Sequence, residues 1–371
     1  MKIAYLALGE TWNSDMAGFS HAYSICRNLV GLGNEVELFI RGHGTEPRLG
    51  KKFSVSFVNL PKISKLNLFA MNKEIKKISS KLDKFDLIHE RFSVNPLSII
   101  ARNKFKGPII LEVNDPGIET WYGMKKIFFR PFIKAKFASC DAIITQTQTL
   151  KGLLKKQTSK PVFVVSNGAE MKSISGKEIE KARNETNCGK NDLCVLFVGT
   201  FRDWHGVHLI PEIARKFAGN KKVKFVLIGK GELFDEVKEK SRELGNAALL
   251  GSKPFERIPA FLKAADILIA PFVWTKKQGG FWWSPLKLYE YLAAGKPIVS
   301  TSFKEVRAIV DGACLLAKPD DLNDFTLKLN RLVKDKNLRN KLGKKGLMLA
   351  KKNSWKEKAS ETIKVYEKVL G

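Results

Sequence analysis

Residues 279–301, GGFWWSPLKLYEYLAAGKPIVST, contain the start and end signals of a helix and of the strand after it. Ser284 is a favourable N-cap and Pro285 a favourable first helical residue, while Gly295 ends the helix and Pro297 prevents its continuation. Three apolar residues share the side of the helix that would face a core: Leu288, Leu292 and Ala293. Residues 297–300 follow directly as a buried strand, so the stretch predicts a helix-strand unit of an α/β fold.

The first turn of this helix contains a cation, Lys287, which opposes the helix dipole by roughly 0.3–1 kcal/mol unless an anion is bound there. A phosphate held by the amide groups of the helix start would remove the conflict. Glu290, about one turn further on, could then accept hydrogen bonds from hydroxyl groups attached to that phosphate. The alternative is a surface lysine that extends into water beside an exposed glutamate. These residues alone leave both interpretations open.

Residues 284–301 resemble the donor-site segment of the family 4 retaining glycosyltransferases. The resemblance implies the GT-B fold, an α/β architecture of two Rossmann-like domains that face each other across a cleft. It implies that the helix glutamate binds the ribose of a nucleotide sugar and that the helix start holds the diphosphate. The family often has a second glutamate eight positions earlier, where this chain has a tryptophan that can stack on a sugar. The donor-binding candidates of this segment are Trp282, Ser284, Leu286, Lys287 and Glu290.

Length and charge restrict the class of protein. A chain of 371 residues is too long for one ordinary core and fits two domains. The net charge of +28 is shared by both halves and is consistent with nucleic acid, an anionic membrane surface or a polyanionic substrate. No stretch reaches the ~18 apolar residues of a spanning helix. The N-terminus lacks signal-peptide architecture, and the five scattered cysteines suit a reducing cytoplasm.

The start of the chain predicts a βαβ unit, with strands at 2–8 and 34–41 and a helix from about 19 to 32. Gly18 ends the loop before the helix, where the missing side chain would let a phosphate or sugar approach the backbone. It resembles the glycine of the family loop that closes over the donor, and a glycine needed only for the turn is the alternative. We expect His21 to serve helix packing rather than chemistry.

Polar side chains follow two further apolar strands, at the edge where α/β sheets bind ligands. These residues are His89, Glu90, Arg91, Asn114 and Asp115. Relatives with a His-Glu-Pro triplet use the histidine near the reacting carbon, and the aligned residues here are 114–116, Asn-Asp-Pro. Asn114 could donate to a sugar hydroxyl and Asp115 could receive a proton. The catalytic candidates are thus Asn114, Asp115 and Glu290, with Glu90 and Arg91 near the acceptor.

Two basic amphipathic segments, residues 62–86 and 121–140, predict contact with an anionic membrane. In the second segment, the apolar side chains that recur at helical spacing are Met124, Ile127, Phe128, Phe132 and Ala135. The basic side chains that recur at every fourth residue are Lys126, Arg130 and Lys134. The alternative is a core-facing helix with a solvated basic face, and Pro131 disfavours one long helix. We favour the membrane because the charge bias recurs in both segments.

The second domain opens with a strand and a loop at residues 199–206 that resembles the second diphosphate-binding loop of the family. Thr200 and His205 stand where relatives have an arginine and a lysine, and Arg202 could supply the lost cation. The nucleobase would lie over residues 251–253, which include Lys253. We predict domains at 1–170 and 193–352, a linker at 171–192, and a terminal helix at 353–371 that returns to the first domain.

The resemblance therefore implies a retaining hexosyltransferase that uses a nucleotide diphosphate sugar and a membrane-associated or polysaccharide acceptor. We expect it in the cytoplasm, peripheral on the inner face of the membrane, with no cofactor and no metal. A front-side reaction is favoured because no paired carboxylates suit double displacement. The alternative is a non-catalytic nucleotide-sugar or lipid-binding protein of the same fold, since Trp282, Asn114 and His205 replace functional groups. Nucleic acid ranks last because no binding motif accompanies the charge.

Overall fold

The computed structural model describes residues 1–12, 17–47, 49–59, 68–115, 124–275 and 280–371, and only the backbone of 68–72 and 124–128. Two compact units are formed. The first comprises residues 1–167, 282–284 and 355–371, and the second comprises 168–281 and 285–354. Each unit contains one parallel sheet covered by helices, which confirms the predicted α/β class.

The first unit has seven strands and six α-helices within the described residues. The strands are β1 (Lys2–Thr11), β2 (Glu35–Arg41), β3 (Phe53–Val58), β4 (Leu87–Arg91), β5 (Ile109–Val113), β6 (Ala142–Thr145) and β7 (Val162–Val164). The helices are α1 (Ala17–Gly31), α2 (Leu68–Ser79), α3 (Leu97–Ala101), α4 (Met124–Ser139), α5 (Gln148–Lys155) and α14 (Trp355–Leu370). The strand order is β3-β2-β1-β4-β5-β6-β7.

The second unit has six strands and eight α-helices within the described residues. The strands are β8 (Leu193–Val198), β9 (Val223–Ile228), β10 (Ala247–Leu249), β11 (Ile267–Ala270), β12 (Ile298–Thr301) and β13 (Cys314–Ala317). The helices are α6 (Gly176–Glu185), α7 (Ile210–Arg215), α8 (Phe234–Ser241), α9 (Ile258–Ala264), α10 (Leu286–Ala294), α11 (Lys304–Val310), α12 (Leu322–Lys334) and α13 (Lys336–Lys352). The strand order is β10-β9-β8-β11-β12-β13.

Both sheets reverse their strand order once, at β1/β4 in the first unit and at β8/β11 in the second. The central strands are apolar runs because helices cover both faces of a parallel sheet. Ile267–Ala270, for example, is buried at every residue. In open α/β sheets, ligands bind outside the carboxyl ends of the strands at such a reversal. The topology therefore places the candidate site of the second unit in the loops that follow β8 and β11.

The helix read from residues 279–301 is α10, and its ends show one error in the prediction. Gly295 ends the helix in the left-handed conformation, with φ 69°, as expected. At the other end, Pro285 rather than Ser284 occupies the N-cap position, and its backbone is extended at ψ 110°. The Ser284 carbonyl instead accepts a hydrogen bond from Asn167 Nδ2 at 2.7 Å. Leu288 and Leu292 are fully buried, so the core-facing side was identified correctly.

Residues 171–192, predicted as a linker, contain the helix α6. Ser175 and Glu178 form a capping box at its start, in which each side chain binds the backbone of the other residue. Arg183 near its end donates to the carboxylate of Asp266 at 2.8 Å and ties the helix to the sheet of the second unit. This segment is therefore part of the second unit.

The two basic segments, residues 62–86 and 121–140, lie partly outside the described residues. In the described part, apolar side chains of α2 and α4 belong to the core of the first unit: Ile75, Ile78, Ile133 and Phe137. These four side chains therefore face the core, as the core-facing alternative expects for residues 121–140, whereas Arg130 and Lys134 of α4 are exposed. The helix α4 also continues through Pro131, contrary to the expected interruption. No described helix is both long and apolar enough to cross a membrane.

Candidate functional site

The loop after β8 is held close to its neighbours by glycines. Gly199 has φ 155° and Gly206 has φ 66°, values that favour residues without a Cβ atom. A Cβ atom on Gly206 would lie 1.6 Å from the carbonyl oxygen of Pro271, and one on Gly229 would lie 1.9 Å from that of Gly199. The loops after β8, β9 and β11 therefore meet backbone to backbone at the reversal of the sheet.

Lys287, in the first turn of α10, points into this loop cluster. Its side chain is only 8% exposed, and Nζ has no hydrogen-bond partner within the described residues. The ammonium lies 4.3 Å from the ring centroid of Phe197 and 5.5 Å from that of Phe272. A Cβ atom added to Gly199 would lie 2.4 Å from Nζ, so the glycine provides space for the cation. The surface-lysine alternative is therefore wrong.

Burial lowers the pKa of Lys287 from 10.5 to about 7, and Glu290 acts in the opposite direction. Burial likewise raises the pKa of Glu290 to about 7, an effect reduced by Lys287 and Lys172. Both groups therefore change charge near neutral pH. An anion bound beside Nζ would stabilise the charged form of Lys287 by its opposite charge. The amide groups at the start of α10 also point towards this place and would help to bind the anion.

His205 positions the loop rather than adding a charge. Its Nδ1 lies 2.6 Å from the carbonyl oxygen of Thr200, so this nitrogen carries the proton and donates to it. The Thr200 hydroxyl lies 3.0 Å from the same nitrogen. Burial and the Lys287 ammonium hold the pKa of His205 well below its usual value. The imidazole is therefore neutral and does not replace the positive charge of the family lysine.

Two other predicted donor residues are engaged with nearby side chains. Arg202 is exposed, and its guanidinium stacks 5.0 Å from the ring centroid of Trp204, at the rim of the loop. Lys253 pairs with Glu185 at 3.2 Å, and Arg257 binds the same carboxylate at 2.6 Å. Arg202 thus remains accessible to a phosphate, whereas Lys253 fixes the loop after β10 to α6.

The predicted donor residues around the start of α10 belong to different units. Trp282 packs against the core of the first unit, where its carbonyl accepts a hydrogen bond from Thr147 Oγ1 at 2.7 Å. Ser284 is buried and also belongs to the first unit. Leu286 begins α10 in the second unit and is partly buried. Of the donor-binding predictions, the second unit therefore brings together Thr200, His205 and Lys287, with Leu286 and Glu290 on the same helix as Lys287.

The first unit contains a buried polar cluster that the sequence did not reveal, centred on Glu112 of β5. This Glu112 cluster consists of Glu112 and five donors to its carboxylate: Tyr5, His21, His89, Arg91 and Asn114. The contacts include Tyr5 Oη at 2.7 Å and Arg91 Nη1 at 2.8 Å. Burial opposes ionisation, yet His21 and Arg91 hold the pKa of Glu112 well below its usual value. The carboxylate is therefore charged and saturated.

The two histidines of the Glu112 cluster have different hydrogen-bond partners. His89 Nε2 lies 3.1 Å from the carboxylate, and its Nδ1 faces the Tyr366 hydroxyl at 2.6 Å. Burial lowers the pKa of His89, so its ring is neutral. Both nitrogens of His21 face acceptors, Glu112 Oε1 at 2.9 Å and Asn167 Oδ1 at 2.7 Å. His21 therefore links Glu112 to Asn167, which goes beyond the packing role predicted for it.

The other predicted residues of the first unit have different surroundings. Asn114 donates to Glu112, and its Oδ1 is buried with no hydrogen-bond partner among the described residues. Asp115 is exposed, so it can meet a substrate. Glu90 cannot contact an acceptor, because its side chain is fully buried and paired with Lys136 of α4. The prediction failed because β4 continues to Arg91, so that Glu90 lies within the strand, where helices cover the sheet, and not beyond its end.

The first loop also differs from the expectation. A Cβ atom on Gly18 would lie 2.1 Å from the carboxylate of Glu10, which occupies the space predicted for a phosphate or sugar. Glu10 in turn accepts a hydrogen bond from Arg91 Nε at 3.0 Å. The Arg91 guanidinium thus binds the carboxylates of both Glu10 and Glu112. Within the described residues, no group of three or more histidine, cysteine, aspartate or glutamate side chains could hold a metal ion.

Two family models match the chain: "Glycosyltransferase Family 4" over residues 19–172 and "Glycosyl transferases group 1" over residues 178–347. An uncharacterized glycosyltransferase of Methanocaldococcus jannaschii is 27% identical over 329 residues, covering 87% of this chain and 84% of the relative. Sucrose-phosphate synthase from Thermosynechococcus elongatus has a TM-score of 0.79 at 16% identity, covering 100% of this chain and 99% of that one. Anabaena HepE, solved with UDP and glucose, has a TM-score of 0.75 at 14% identity, covering 99% and 100%.

Proposed function

The chain belongs to family 4 of the glycosyltransferases, the group 1 enzymes of GT-B fold, and we propose that it transfers a hexose from a nucleoside diphosphate donor to a saccharide acceptor. The donor binds in the second unit, at the loops after β8 and β11 and the start of α10. Support for a nucleotide sugar comes also from HepE, which was solved with UDP and glucose.

The observation that carries this proposal is the buried ammonium of Lys287 without a protein partner among the described residues. A buried cation is costly unless it is paired, and a diphosphate is the partner that also suits the helix dipole. Phe197 and Gly199 fix the ammonium in this place, one by its ring and the other by its missing side chain. Glu290, one turn away, accepts hydrogen bonds from the ribose hydroxyls.

The same groups stabilise the leaving diphosphate during transfer. We propose that the bond from the anomeric carbon to the diphosphate breaks while the acceptor oxygen bonds to the same face of that carbon. The acceptor proton passes to the leaving phosphate, and configuration is retained. Lys287, Arg202 and the amides of the helix start supply the positive charge that this step requires. Activity is therefore independent of a metal and survives treatment with a chelator.

A thermal-shift screen with UDP, GDP, ADP and their hexose derivatives tests the donor assignment. Glu290→Ala is expected to lose most of the nucleotide-induced shift while its unliganded melting stays close to that of the parent. Glu256→Ala, an exposed glutamate in the same unit, serves as the matched control and keeps the full shift. Equal shifts in the parent and Glu290→Ala would reject the ribose contact. NMR of the product, made with the nucleotide sugar that gives the largest shift, then reports the anomeric configuration.

The acceptor is proposed to be a polysaccharide or a membrane-associated saccharide, reached from the cytoplasmic face. Support comes from the net charge of +28 and from Arg130 and Lys134, which are exposed on α4. Sedimentation with anionic vesicles at low and high salt tests this proposal, with neutral vesicles as the control. Binding to anionic vesicles that weakens in salt and in Arg130→Glu/Lys134→Glu supports it. Absence of binding to anionic vesicles would contradict a membrane-surface location.

A further inference from the structure

A cavity of about 460 Å³ lies beside the carboxyl ends of β11, β12 and β13 in the second unit. It is lined by residues of the loops after β8, β11 and β13 and by the start of α12. Its volume falls in the range of small-molecule sites, roughly 300–1,000 Å³. Phe272 lines the cavity and also lies 5.5 Å from Lys287 Nζ, so the cavity adjoins the donor site without including the lysine.

Two polar side chains on the cavity wall have hydrogen-bonding capacity that the protein does not use. Thr275 Oγ1 and His208 Nδ1 are buried without a hydrogen-bond partner within the described residues. Thr301, the last residue of β12, lines the same cavity and is only 4% exposed. Buried polar atoms are normally paired, so their convergence on one cavity indicates a ligand with several hydroxyl groups.

The mouth of the cavity combines an aromatic ring with carboxylates. Trp274 is 46% exposed. The other large hydrophobic side chains that are exposed within the described residues are methionines and leucines. Asp203, Asp320 and Asp321 line the same cavity. One Asp321 oxygen caps α12 by accepting from Asp324 N at 2.8 Å. The other carboxylate oxygens are suited to accept protons from ligand hydroxyls, while the indole can cover an apolar C–H face.

The charges of the cavity exclude the anions that suit the donor site. Three carboxylates stand against one lysine, Lys318, so a phosphate would meet net negative charge. A metal ion is also disfavoured, because the described residues contain no group of three or more ligands that could hold one. Pro271, Phe272 and Phe325 add apolar surface to the lining of the same cavity. A neutral pyranose, with hydroxyl edges and an apolar face, matches this combination.

We propose that this cavity is a second saccharide-binding site, separate from the nucleotide site, which binds a neutral hexose unit. Trp274 covers the apolar face of the sugar ring. The Thr301 hydroxyl and the aspartates bind its hydroxyl groups. The inference concerns binding alone, and it holds whether or not Lys287 binds a diphosphate.

Saturation-transfer NMR on the whole chain tests the proposal, with methyl α-mannoside, methyl α-glucoside and maltotriose as probes. Spermidine and inorganic phosphate serve as cationic and anionic comparison ligands. Trp274→Ala removes the exposed ring, and Thr301→Val removes the buried hydroxyl with little change in shape. The control is Leu327→Ala, because Leu327 is 64% exposed on α12 and does not line the cavity. Thermal melting with and without a nucleoside diphosphate shows that each variant is folded and keeps its donor site.

At least one saccharide is expected to bind the parent and Leu327→Ala equally, and about tenfold more weakly to Trp274→Ala and Thr301→Val. The nucleotide-induced thermal shift is expected to be the same in all four proteins, since none of the substitutions touches Lys287. Saccharide binding that is unchanged in Trp274→Ala and Thr301→Val would overturn the proposal. Absence of saccharide binding at about 50 mM, well above the millimolar range of weak sites, would also overturn it. So would binding of spermidine or phosphate that depends on Trp274.

Discussion

Replacing Lys287 by methionine is expected to stabilise the unliganded protein while removing most of its affinity for nucleotides. Burial lowers the pKa of Lys287 from 10.5 to about 7, which corresponds to a cost of roughly 4 kcal/mol for the folded state at pH 7. Methionine has a similar length and no charge, so it recovers much of this free energy. Loss of a charge-assisted bond to the diphosphate weakens nucleotide binding by roughly 1.5–3 kcal/mol, or about ten- to hundredfold.

The same substitution at Lys136 is the matched control, and the opposite sign is expected. Lys136 is fully buried in the first unit and is paired with Glu90. Removal of one partner of a buried ion pair leaves the other charge uncompensated, which costs roughly 3–5 kcal/mol. Lys136→Met should therefore be less stable than the parent, while the stabilisation by nucleotide remains.

Urea unfolding and thermal melting of the parent, Lys287→Met and Lys136→Met, each with and without a nucleoside diphosphate, check both signs. Opposite changes in unliganded stability separate a functional cation from a structural one. A Lys287→Met variant less stable than the parent in the absence of nucleotide would contradict a costly buried cation. A variant that kept the full nucleotide-induced stabilisation would contradict a bond from Lys287 to the diphosphate.

Three further predictions concern pH, the Glu112 cluster and the loop after β8. A bound anion raises the depressed pKa of Lys287, so affinity for a nucleotide sugar should fall by up to about tenfold per pH unit above pH 7. Calorimetry that shows constant affinity from pH 7 to 9 would contradict this prediction. Glu112→Gln removes the anion that compensates Arg91, and should lower the free energy of unfolding by roughly 3–5 kcal/mol, with an unchanged urea midpoint as the contrary result. Gly206→Ala should lower the melting temperature markedly, because its Cβ atom would overlap the Pro271 carbonyl; a melting temperature equal to the parent's would show that the loop is not fixed there.

The sequence predicted the fold where local signals and burial agree. Gly295 and Pro297 marked the end of α10, and the apolar runs at β1, β8 and β12 were identified as strands because both faces of a parallel sheet are buried. The family resemblance added the GT-B architecture, which two family models and the similar structures confirm. The conflict of Lys287 with the helix dipole was readable because it is a local property, but the sequence left a surface lysine open, and only its burial decided between the two interpretations.

What failed depends on contacts that are distant along the chain. Glu112 lies within an apolar run, and only the fold shows that His21 and Arg91 converge on it. Glu90 was assigned to an acceptor site because the end of β4 was placed too early, while its actual partner, Lys136, lies 46 positions away. In contrast, α6 was missed although its capping box, Ser175 to Glu178, could be read from the sequence.

The most direct test is a crystal structure of the chain with a nucleoside diphosphate hexose. A phosphate oxygen is expected within hydrogen-bond distance, about 3 Å, of Lys287 Nζ, and the ribose hydroxyls are expected to donate to the carboxylate of Glu290. A diphosphate bound elsewhere, with Lys287 Nζ contacting only protein, would contradict it.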